Sequence, residues 1–548
     1  MERSWLGQYP SGVPADIDPS GYESVTDFLT RAAAANPART AVCCGEVELD
    51  YATLDGLSEA FAAWLQVVER LPAGSRVALM MPNVLQYSIA LFGVLRAGMT
   101  VVNLNPQYTE REVSFHLGDS GAAVLVAWEG AAAIARVAAD QAGCRLILAS
   151  GDEMPELPRL WCEQNGVAND GGAAIGEGKI STFAHALREG RFQARPHTPL
   201  SADAIAFLQY TGGTTGSPKA AVLTHRNVIA NVLQLFAWCR PVLDGPDVCV
   251  VTVLPMYHIM ALTGNCLLST VSGWKNVLVS DPRDLPNLVQ QWRRHRFSFF
   301  VGVNTLFSAL LDYAPFRELD FDGLLYTCGA GAAVQPIVAS RWLELTGCRL
   351  SGAYGLTETS PTVCMTPPAA AGRTQTVGVP VSSTQVRLLD ELGHDVKPGT
   401  PGEIVVKGPQ VMRGYWNRPE ETQASFTPDG FLRTGDVAVM DADGYVTIVD
   451  RKKDVVLVSG FNVYPNEIEG VVAGHPDVRE CACIGVQDER TGEALKVFVV
   501  ARNTGLTADA LQRYCRERLT GYKVPRQFEF LDALPKSTVG KILRRALR

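Results

Sequence analysis

The sequence predicts an α/β protein: a large N-terminal domain of two α/β subdomains plus a small β-subdomain, followed by a smaller α+β C-terminal domain. Three observations carry this reading. The chain has 548 residues, well beyond the roughly 250–300 that one hydrophobic core can serve. Helix-like stretches alternate with short apolar runs through much of its first 363 residues, the rhythm of a parallel sheet with crossover helices. Near Gly378 the texture changes to short runs of alternating polarity, separated by Pro398-Gly399, Pro401-Gly402, Asp429-Gly430 and Asp443-Gly444. Those dipeptides are hairpin and turn signals.

The elements follow in order. Ser58 to Val68 reads as an amphipathic helix. Arg76–Met81 and Thr100–Leu104 read as buried strands around a helix over Val84–Ala97. From Gly151 to Pro199 the chain turns polar and Gly-rich, as in Asn169-Asp170-Gly171-Gly172, and is expected to be a surface excursion. The α/β rhythm returns from Asp203, with strands expected at Ala204–Leu208, Cys249–Leu254 and Phe299–Val303. The β-subdomain is expected over residues 378–450. The charged run Asp450-Arg451-Lys452-Lys453-Asp454 then separates residues 1–450 from a C-terminal unit, 451–548, that reads β-α-β-α-β.

Composition narrows the function. A 47% hydrophobic and 19% charged chain has ample apolar surface to bury, which excludes a mostly disordered protein. The net charge of −8 offers no basic domain for nucleic acid. The 13 cysteines show no CxxC spacing, so reduced cytosolic thiols fit better than a disulfide framework or a zinc site. No apolar run reaches the ~18 residues of a membrane-spanning helix; Asn83, Gln86, Arg96 and Asn103 interrupt the most apolar region, Val77–Leu104. The N-terminus lacks a signal-peptide core. A cytoplasmic location is therefore expected.

Five motifs bear on chemistry. The first is Gln209-Tyr210-Thr211-Gly212-Gly213-Thr214-Thr215-Gly216-Ser217-Pro218-Lys219, after an expected strand and before a helix-like stretch. Glycines let backbone N–H groups converge on an anion; threonine hydroxyls and Lys219 add donors and charge. The Walker A spacing is absent. The alternatives are a phosphate loop and a Ser/Thr/Gly-rich surface loop. The second is Tyr354-Gly355-Leu356-Thr357-Glu358-Thr359, where a carboxylate beside hydroxyls can hold Mg²⁺ or simply mark a capped helix start. The third is Leu432-Arg433-Thr434-Gly435-Asp436, a ribose-binding Asp or a turn residue. The fourth is Ser459-Gly460-Phe461-Asn462-Val463-Tyr464-Pro465. The fifth is Pro535-Lys536-Ser537-Thr538-Val539-Gly540-Lys541, leading into Arg544, Arg545 and Arg548; alone it reads as a solvated basic helix end. No G-x-S-x-G or HExxH motif occurs.

In this order the motifs resemble the acyl-adenylate-forming enzymes, along nearly the whole chain. Asp429–Asp436, Val449–Asp454, Ser459–Glu469, Leu254-Pro255-Met256-Tyr257-His258-Ile259 and Gly302–Phe307 are similar to segments of bacterial long-chain fatty-acid–CoA ligases. Trp5-Leu6-x-x-Tyr9-Pro10 fits the same family. The resemblance implies ligation of a long-chain fatty acid to CoA through acyl-AMP, with ATP and CoA as co-substrates, Mg²⁺ as cofactor, and AMP and pyrophosphate released. It also implies the site. Thr211, Gly212, Gly213, Thr214, Thr215, Gly216 and Lys219 would wrap the phosphates. Thr211 and Glu358 would serve the metal, with Thr357 beside them. Gly329, Ala330, Gly352 and Tyr354 would surround adenine and acyl carbonyl. Asp436 would take the ribose, with Arg451 alongside. Lys541 would reach the α-phosphate and carboxylate, on a C-terminal domain made mobile by a hinge at Lys453. Gly460 would line the pantetheine tunnel, and His258, with Tyr257, would gate the substrate carboxylate.

Ile259, Leu262, Leu267, Leu268, Val303, Leu306 and Phe307 are candidates to line an acyl tunnel. Three departures from the family pattern, Ala220, Ala353 and Gly329-Ala330-Gly331-Ala332, each add only a methyl, and they leave substrate preference open. A ligase for medium-chain, branched or aryl acids shares every nucleotide motif. A catalytically degenerate acyl-binding protein would be expected to lose Thr211, Glu358, Asp436, Lys453 or Lys541. Peripheral association with the inner face of the cytoplasmic membrane, and a homodimer, are left open by the sequence.

Overall fold

Strands covered on both faces read as unbroken apolar runs, and two such groups of strands organise the larger part of the protein. The computed structural model describes residues 3–162, 180–194, 198, 200–211, 218–245, 247–368, 370, 373, 376–537 and 540–548. One sheet has eight strands. In spatial order they are Gly414–Tyr415, Lys219–Thr224, Ile205–Thr211, Thr100–Asn103, Arg76–Met80, Val124–Trp128, Arg145–Ala149 and Ile180–Thr182. The other sheet has nine: Val379–Pro380, Thr362–Met365, Leu350–Gly355, Tyr326–Gly329, Phe299–Gly302, Cys249–Thr252, Lys275–Leu278, Thr40–Cys44 and Val47–Asp50. Both are mostly parallel, with antiparallel strands at their edges.

The expected helix at Ser58 in fact starts at Tyr51, where the Asp50 side chain accepts from the Thr53 N–H at 2.7 Å. It runs to Ala63 and continues as a π-helical turn, Trp64–Val68. The helix Leu85–Arg96 is buried along its whole length. The polar residues that interrupt this apolar region are ties between elements. The Asn83 amide donates to the carbonyls of Thr252, Leu254 and Val279 at 3.0–3.1 Å and accepts from the Met256 N–H at 2.8 Å. Tyr87 donates to the Met256 carbonyl and Asn103 donates to Gln209, whose amide reaches the Tyr257 carbonyl at 2.7 Å. Buried polar groups must be paired, and here the pairing fixes the loop ahead of His258 against both sheets.

The expectation of a surface excursion over 151–199 needs correction. Ile180–Thr182 is an edge strand of the eight-stranded sheet, and the helix Phe183–Arg191 buries Phe183, Ala184, Ala186 and Leu187 against the helix Tyr51–Ala63. Gly190 makes that contact possible, since a Cβ there would lie 2.0 Å from the Ala60 carbonyl oxygen. The Asn169–Gly172 run lies outside the described residues.

Gln385–Leu389, Gly402–Lys407, Leu432–Met440 and Val446–Arg451 form an antiparallel four-stranded sheet. Two short strands within 378–450 serve the larger sheets instead: Val379–Pro380 pairs with Thr362–Met365, and Gly414–Tyr415 with Lys219–Thr224. The C-terminal residues form their own sheet from Val456–Val458, Phe461–Val463, Val478–Asp488, Gly492–Ala501 and Gln527–Phe530, covered by the helices Pro465–Ala473 and Ala508–Arg516. The β-α-β-α-β reading missed its two hairpins, whose turns are Ser459-Gly460 and the Glu489–Thr491 stretch. Among the described residues no helix is long and apolar enough to cross a membrane. The twelve cysteines whose side chains are described are free and buried.

Candidate functional site

In open α/β sheets ligands bind beyond the carboxyl ends of the strands, and the nine-stranded sheet is built for close approach there. Gly302, Gly329 and Gly352 stand in register across three adjacent parallel strands. A Cβ at these positions would meet Phe307, Val334 and the Thr376 carbonyl at 2.8, 2.3 and 2.5 Å. The row therefore keeps the strand ends bare while loops fold over them. Ala330 follows, buried, its N–H on the Gly302 carbonyl at 3.1 Å.

Tyr354 and Asp436 meet between this sheet and the antiparallel one. The Tyr354 hydroxyl donates to the Asp436 carboxylate at 2.7 Å, and Arg451 lies 3.4 Å from its other oxygen. Asp436 and Arg451 are direct partners on adjacent strands, so the antiparallel register alone brings them together. Burial, with Asp436 next in importance, pushes the Tyr354 phenol well above its ordinary range, so it remains a donor.

Thr357 and Glu358 occupy a single 3₁₀ turn, Thr357–Thr359, packed against the strands that end in Thr211 and begin at Lys219. Tyr415 donates to the Glu358 carboxylate at 2.7 Å, and the Lys219 ammonium sits 5.3 Å from the Tyr415 ring centre while pairing with Glu421. Thr211 ends its strand with a long 3.4 Å hydrogen bond to the Lys219 carbonyl. Gly212, Gly213, Thr214, Thr215 and Gly216 lie outside the described residues. Ala220 is buried in the strand after Lys219, and its carbonyl accepts from the Trp416 N–H at 2.9 Å.

His258 caps the short helix Ile259–Ala261, its Nδ1 accepting from the Met260 N–H at 3.3 Å. That leaves the ring proton on Nε2, a donor. Burial, aided by the positive charge of Lys541, lowers its pKa to about 4, so the imidazole is neutral near pH 7. The apolar candidates divide between two cores: Ile259, Leu262 and Leu267 belong to one, and Leu268, Val303, Leu306 and Phe307 to the other. The segment Leu262–Leu267 between them is π-helical, and open space surrounds the Cβ position of Gly264.

Lys541 comes into this region from the C-terminal unit. The Gly540 carbonyl accepts from the Thr305 hydroxyl at 2.9 Å. Gly540 has φ +78°, and a Cβ there would crowd Thr305 and Val303 at 2.9 and 3.2 Å. Ser537 clamps Lys541 from both sides: its hydroxyl accepts from the Lys541 N–H at 3.1 Å, and its N–H donates to the Lys541 carbonyl at 2.7 Å. Burial holds the Lys541 ammonium down to about 8, with Arg451 lowering it further and Asp436 opposing. Lys453 and Gly460 are elsewhere. Lys453 is exposed in the turn Lys452–Asp454, and Gly460 is exposed at a hairpin tip with φ +83° and nothing within 4 Å of its Cβ position.

The AMP-binding enzyme family matches residues 29–416, and the AMP-binding enzyme C-terminal domain matches residues 467–541. The chain belongs to the AMP-binding enzyme family. Its Lys541 thus lies on the family's C-terminal domain, while Tyr354 and Glu358 lie on the larger part. A long-chain-fatty-acid–CoA ligase of Salmonella typhimurium is 47% identical over 100% of this chain and 98% of that protein. An anthranilate CoA ligase structure in complex with anthranoyl-AMP superposes with TM-score 0.86 at 23% identity, over 97% of this chain and 98% of that one. ATP-bound MatB from Rhodopseudomonas palustris superposes with TM-score 0.81 at 26% identity, over 95% and 98%. Within this AMP-binding enzyme, sequence reasoning missed Tyr415, Glu421, Thr305 and Arg544. Thr305 lay inside a motif singled out beforehand, and Arg544 in the basic tail read as a solvated helix end, whereas it is 15% exposed and paired with Glu469 and Asp450. Tyr415 and Glu421 act through pairings between distant segments.

Proposed function

We propose that this protein joins a long-chain fatty acid to coenzyme A in two steps, adenylation and thioester formation. The observation that carries the reading is the placement of Lys541: it lies on the family's C-terminal domain, next to a Gly540 carbonyl bonded by Thr305 of the larger part, near enough to Asp436 and His258 for the charges to act on one another. The long-chain acid is inferred from the name of the 47% identical relative. In the first step a carboxylate oxygen attacks the α-phosphorus of ATP and the bond to pyrophosphate breaks. In the second the CoA sulfur attacks the acyl carbon, AMP leaves and the thiol proton passes to solvent. A carboxylate is a poor electrophile, and the mixed anhydride supplies the leaving group it lacks.

The roles follow from position. Asp436 takes the ribose hydroxyls, oriented by Tyr354. His258 offers its Nε2 proton to the substrate carboxylate and does not titrate near neutral pH. Lys541 neutralises charge that develops on the α-phosphate. The phosphate loop runs from Thr211 to Lys219; Glu421, which pairs with Lys219, is displaced when phosphates arrive. A magnesium ion fits Glu358 and Thr211, because one carboxylate and one hydroxyl suit a cation that keeps several waters and phosphate oxygens. Such an ion supplies charge neutralisation on the leaving pyrophosphate. Lys453 is the hinge between the larger part, whose last strand ends at Arg451, and the C-terminal unit, and turning about it brings Gly460 to the CoA thiol.

Product analysis tests the proposal. AMP, pyrophosphate and long-chain acyl-CoA are expected; ADP and phosphate would overturn it. The open space at Gly264 gives a second test. Each buried methylene contributes about 0.8 kcal/mol, so filling this space should remove the gain from the last few carbons. Gly264→Leu is expected to shift the preferred acid by about two to four carbons toward shorter chains, worth roughly 2–3 kcal/mol on the longest. An unchanged ranking of kcat/KM across C8 to C18 acids would remove Gly264 from the acyl path.

A further inference from the structure

Arg544 is engaged by four side chains at the boundary of the C-terminal unit. Its side chain is 15% exposed. Nε and Nη2 bond the two oxygens of Glu469 at 2.9 and 2.7 Å, and Nη2 also reaches the Asn466 side-chain oxygen. Nη1 donates to Asp450 at 2.8 Å and lies 3.8 Å from Asp454. A planar guanidinium suits such forked contacts in a way an ammonium does not.

These partners lie on opposite sides of Lys453. Asp450 belongs to the strand Val446–Arg451, whose pairing is with Leu432–Met440 in the antiparallel sheet. Asn466 and Glu469 belong to the helix Pro465–Ala473 of the C-terminal sheet. Asp450 is 1% exposed. Besides Arg544 it accepts from the Asn466 N–H and from its own neighbour, the Arg451 N–H, both at 2.8 Å. Two of its three donors thus come from beyond Lys453. Arg544 also shares a pinned loop with Lys541: the Leu543 N–H bonds the Pro535 carbonyl at 2.8 Å, and Ser537 holds Lys541.

We propose that Arg544 is a positioning residue for adenylation: by gripping Asp450 across the hinge it holds the C-terminal unit in the pose that places Lys541 in the site. The inference rests on the two-pose reading above. The grip is releasable because it is asymmetric. Glu469 and Asn466 travel with Arg544 when the unit turns about Lys453, so the guanidinium keeps a carboxylate partner throughout. Only Asp450 loses its arginine, and it remains on the larger part with the Arg451 N–H.

Asp450→Asn is the cleanest probe, since it leaves the Arg544–Glu469 pair intact and keeps the shape of the side chain. Acyl-AMP formation from ATP in single turnover is expected to slow about tenfold, the scale of one charge-assisted hydrogen bond. Thioester formation from supplied acyl-AMP and CoA should proceed at the unmodified rate or faster. Arg544→Lys should show the same direction, and the double variant should split the half-reactions no further than Arg544→Lys alone. Thermal melting checks folding; a merely structural residue would lower both half-reactions together. Equal loss in both, or loss in neither, for folded Asp450→Asn overturns the proposal. Lys541→Ala run in parallel separates it from the underlying reading: if that variant splits the half-reactions and Asp450→Asn does not, only the grip is wrong.

Discussion

Lys541→Ala is expected to lower the rate of acyl-AMP formation by about 10²–10³, the cost typical of removing one preorganised donor to developing charge. Thioester formation from supplied acyl-AMP should survive if, as proposed, the C-terminal unit turns in that step and carries Lys541 away. The loop that presents Lys541 is held from both sides, by the Thr305–Gly540 hydrogen bond and by Ser537, so removing the ammonium should not disturb the backbone. Stopped-flow or quench measurements of each half-reaction on purified protein decide it. Equal loss in both steps would refute the alternation of poses.

The pH profile supplies an independent check. The Lys541 ammonium is held to about 8 in the free protein, first by burial and then by Arg451. The role proposed for Lys541 needs the charged form, so kcat/KM for adenylation should fall as pH rises through about 8, since this parameter reports the free enzyme. His258, near 4, should add no acid limb between pH 6 and 8. The stability linkage has the opposite sense: a lysine whose folded pKa lies below its unfolded 10.5 penalises the fold below about pH 8, and that penalty fades as pH rises toward 10.5. Activity should thus decline where this contribution to stability improves, and a thermal melt across the same pH range separates the loss of the ammonium from unfolding.

Much of the architecture was legible because it is written in local runs. The strands Arg76–Met80, Cys249–Thr252 and Phe299–Gly302 are short, apolar and bounded by breakers. The helix Phe183–Arg191 was not legible: its polar face dominates the sequence, while the partner that buries its other face is more than a hundred residues earlier. The short strand Gly414–Tyr415 was missed for a related reason, having only two residues and a partner near Lys219. At the site, the residue types carried most of the signal, as with Lys541 after Gly540 or Glu358 between two threonines. What the sequence could not show was who holds whom. Asn83 and Asn103 looked like interruptions of an apolar stretch, yet they fix the loop before His258. Tyr354 reads as a nucleotide contact, and its hydroxyl donates to Asp436. Pairings of this kind arise from long-range register, which no local pattern encodes.

Asp436→Ala is expected to behave differently from Lys541→Ala because of what the carboxylate touches. A ribose contact is made in ground and transition states alike, so its loss should appear as weaker binding with little change in kcat. Hydrogen bonds to a charged group contribute about 1.5–3 kcal/mol, so KM for ATP should rise roughly 10- to 100-fold. Acyl-AMP carries the same ribose. The variant should therefore also raise KM for supplied acyl-AMP in the thioester step, where Lys541→Ala should have no effect. Removal of the carboxylate also takes the 2.7 Å acceptor from the half-buried Tyr354 hydroxyl, which should cost about 0.5–1.5 kcal/mol of stability. Tyr354→Phe separates the two consequences: it keeps the carboxylate for the ribose and removes the hydroxyl. If Asp436→Ala matched Tyr354→Phe in both nucleotide affinities, Asp436 would be a partner of Tyr354 and Arg451 alone, and the ribose would have to be held elsewhere.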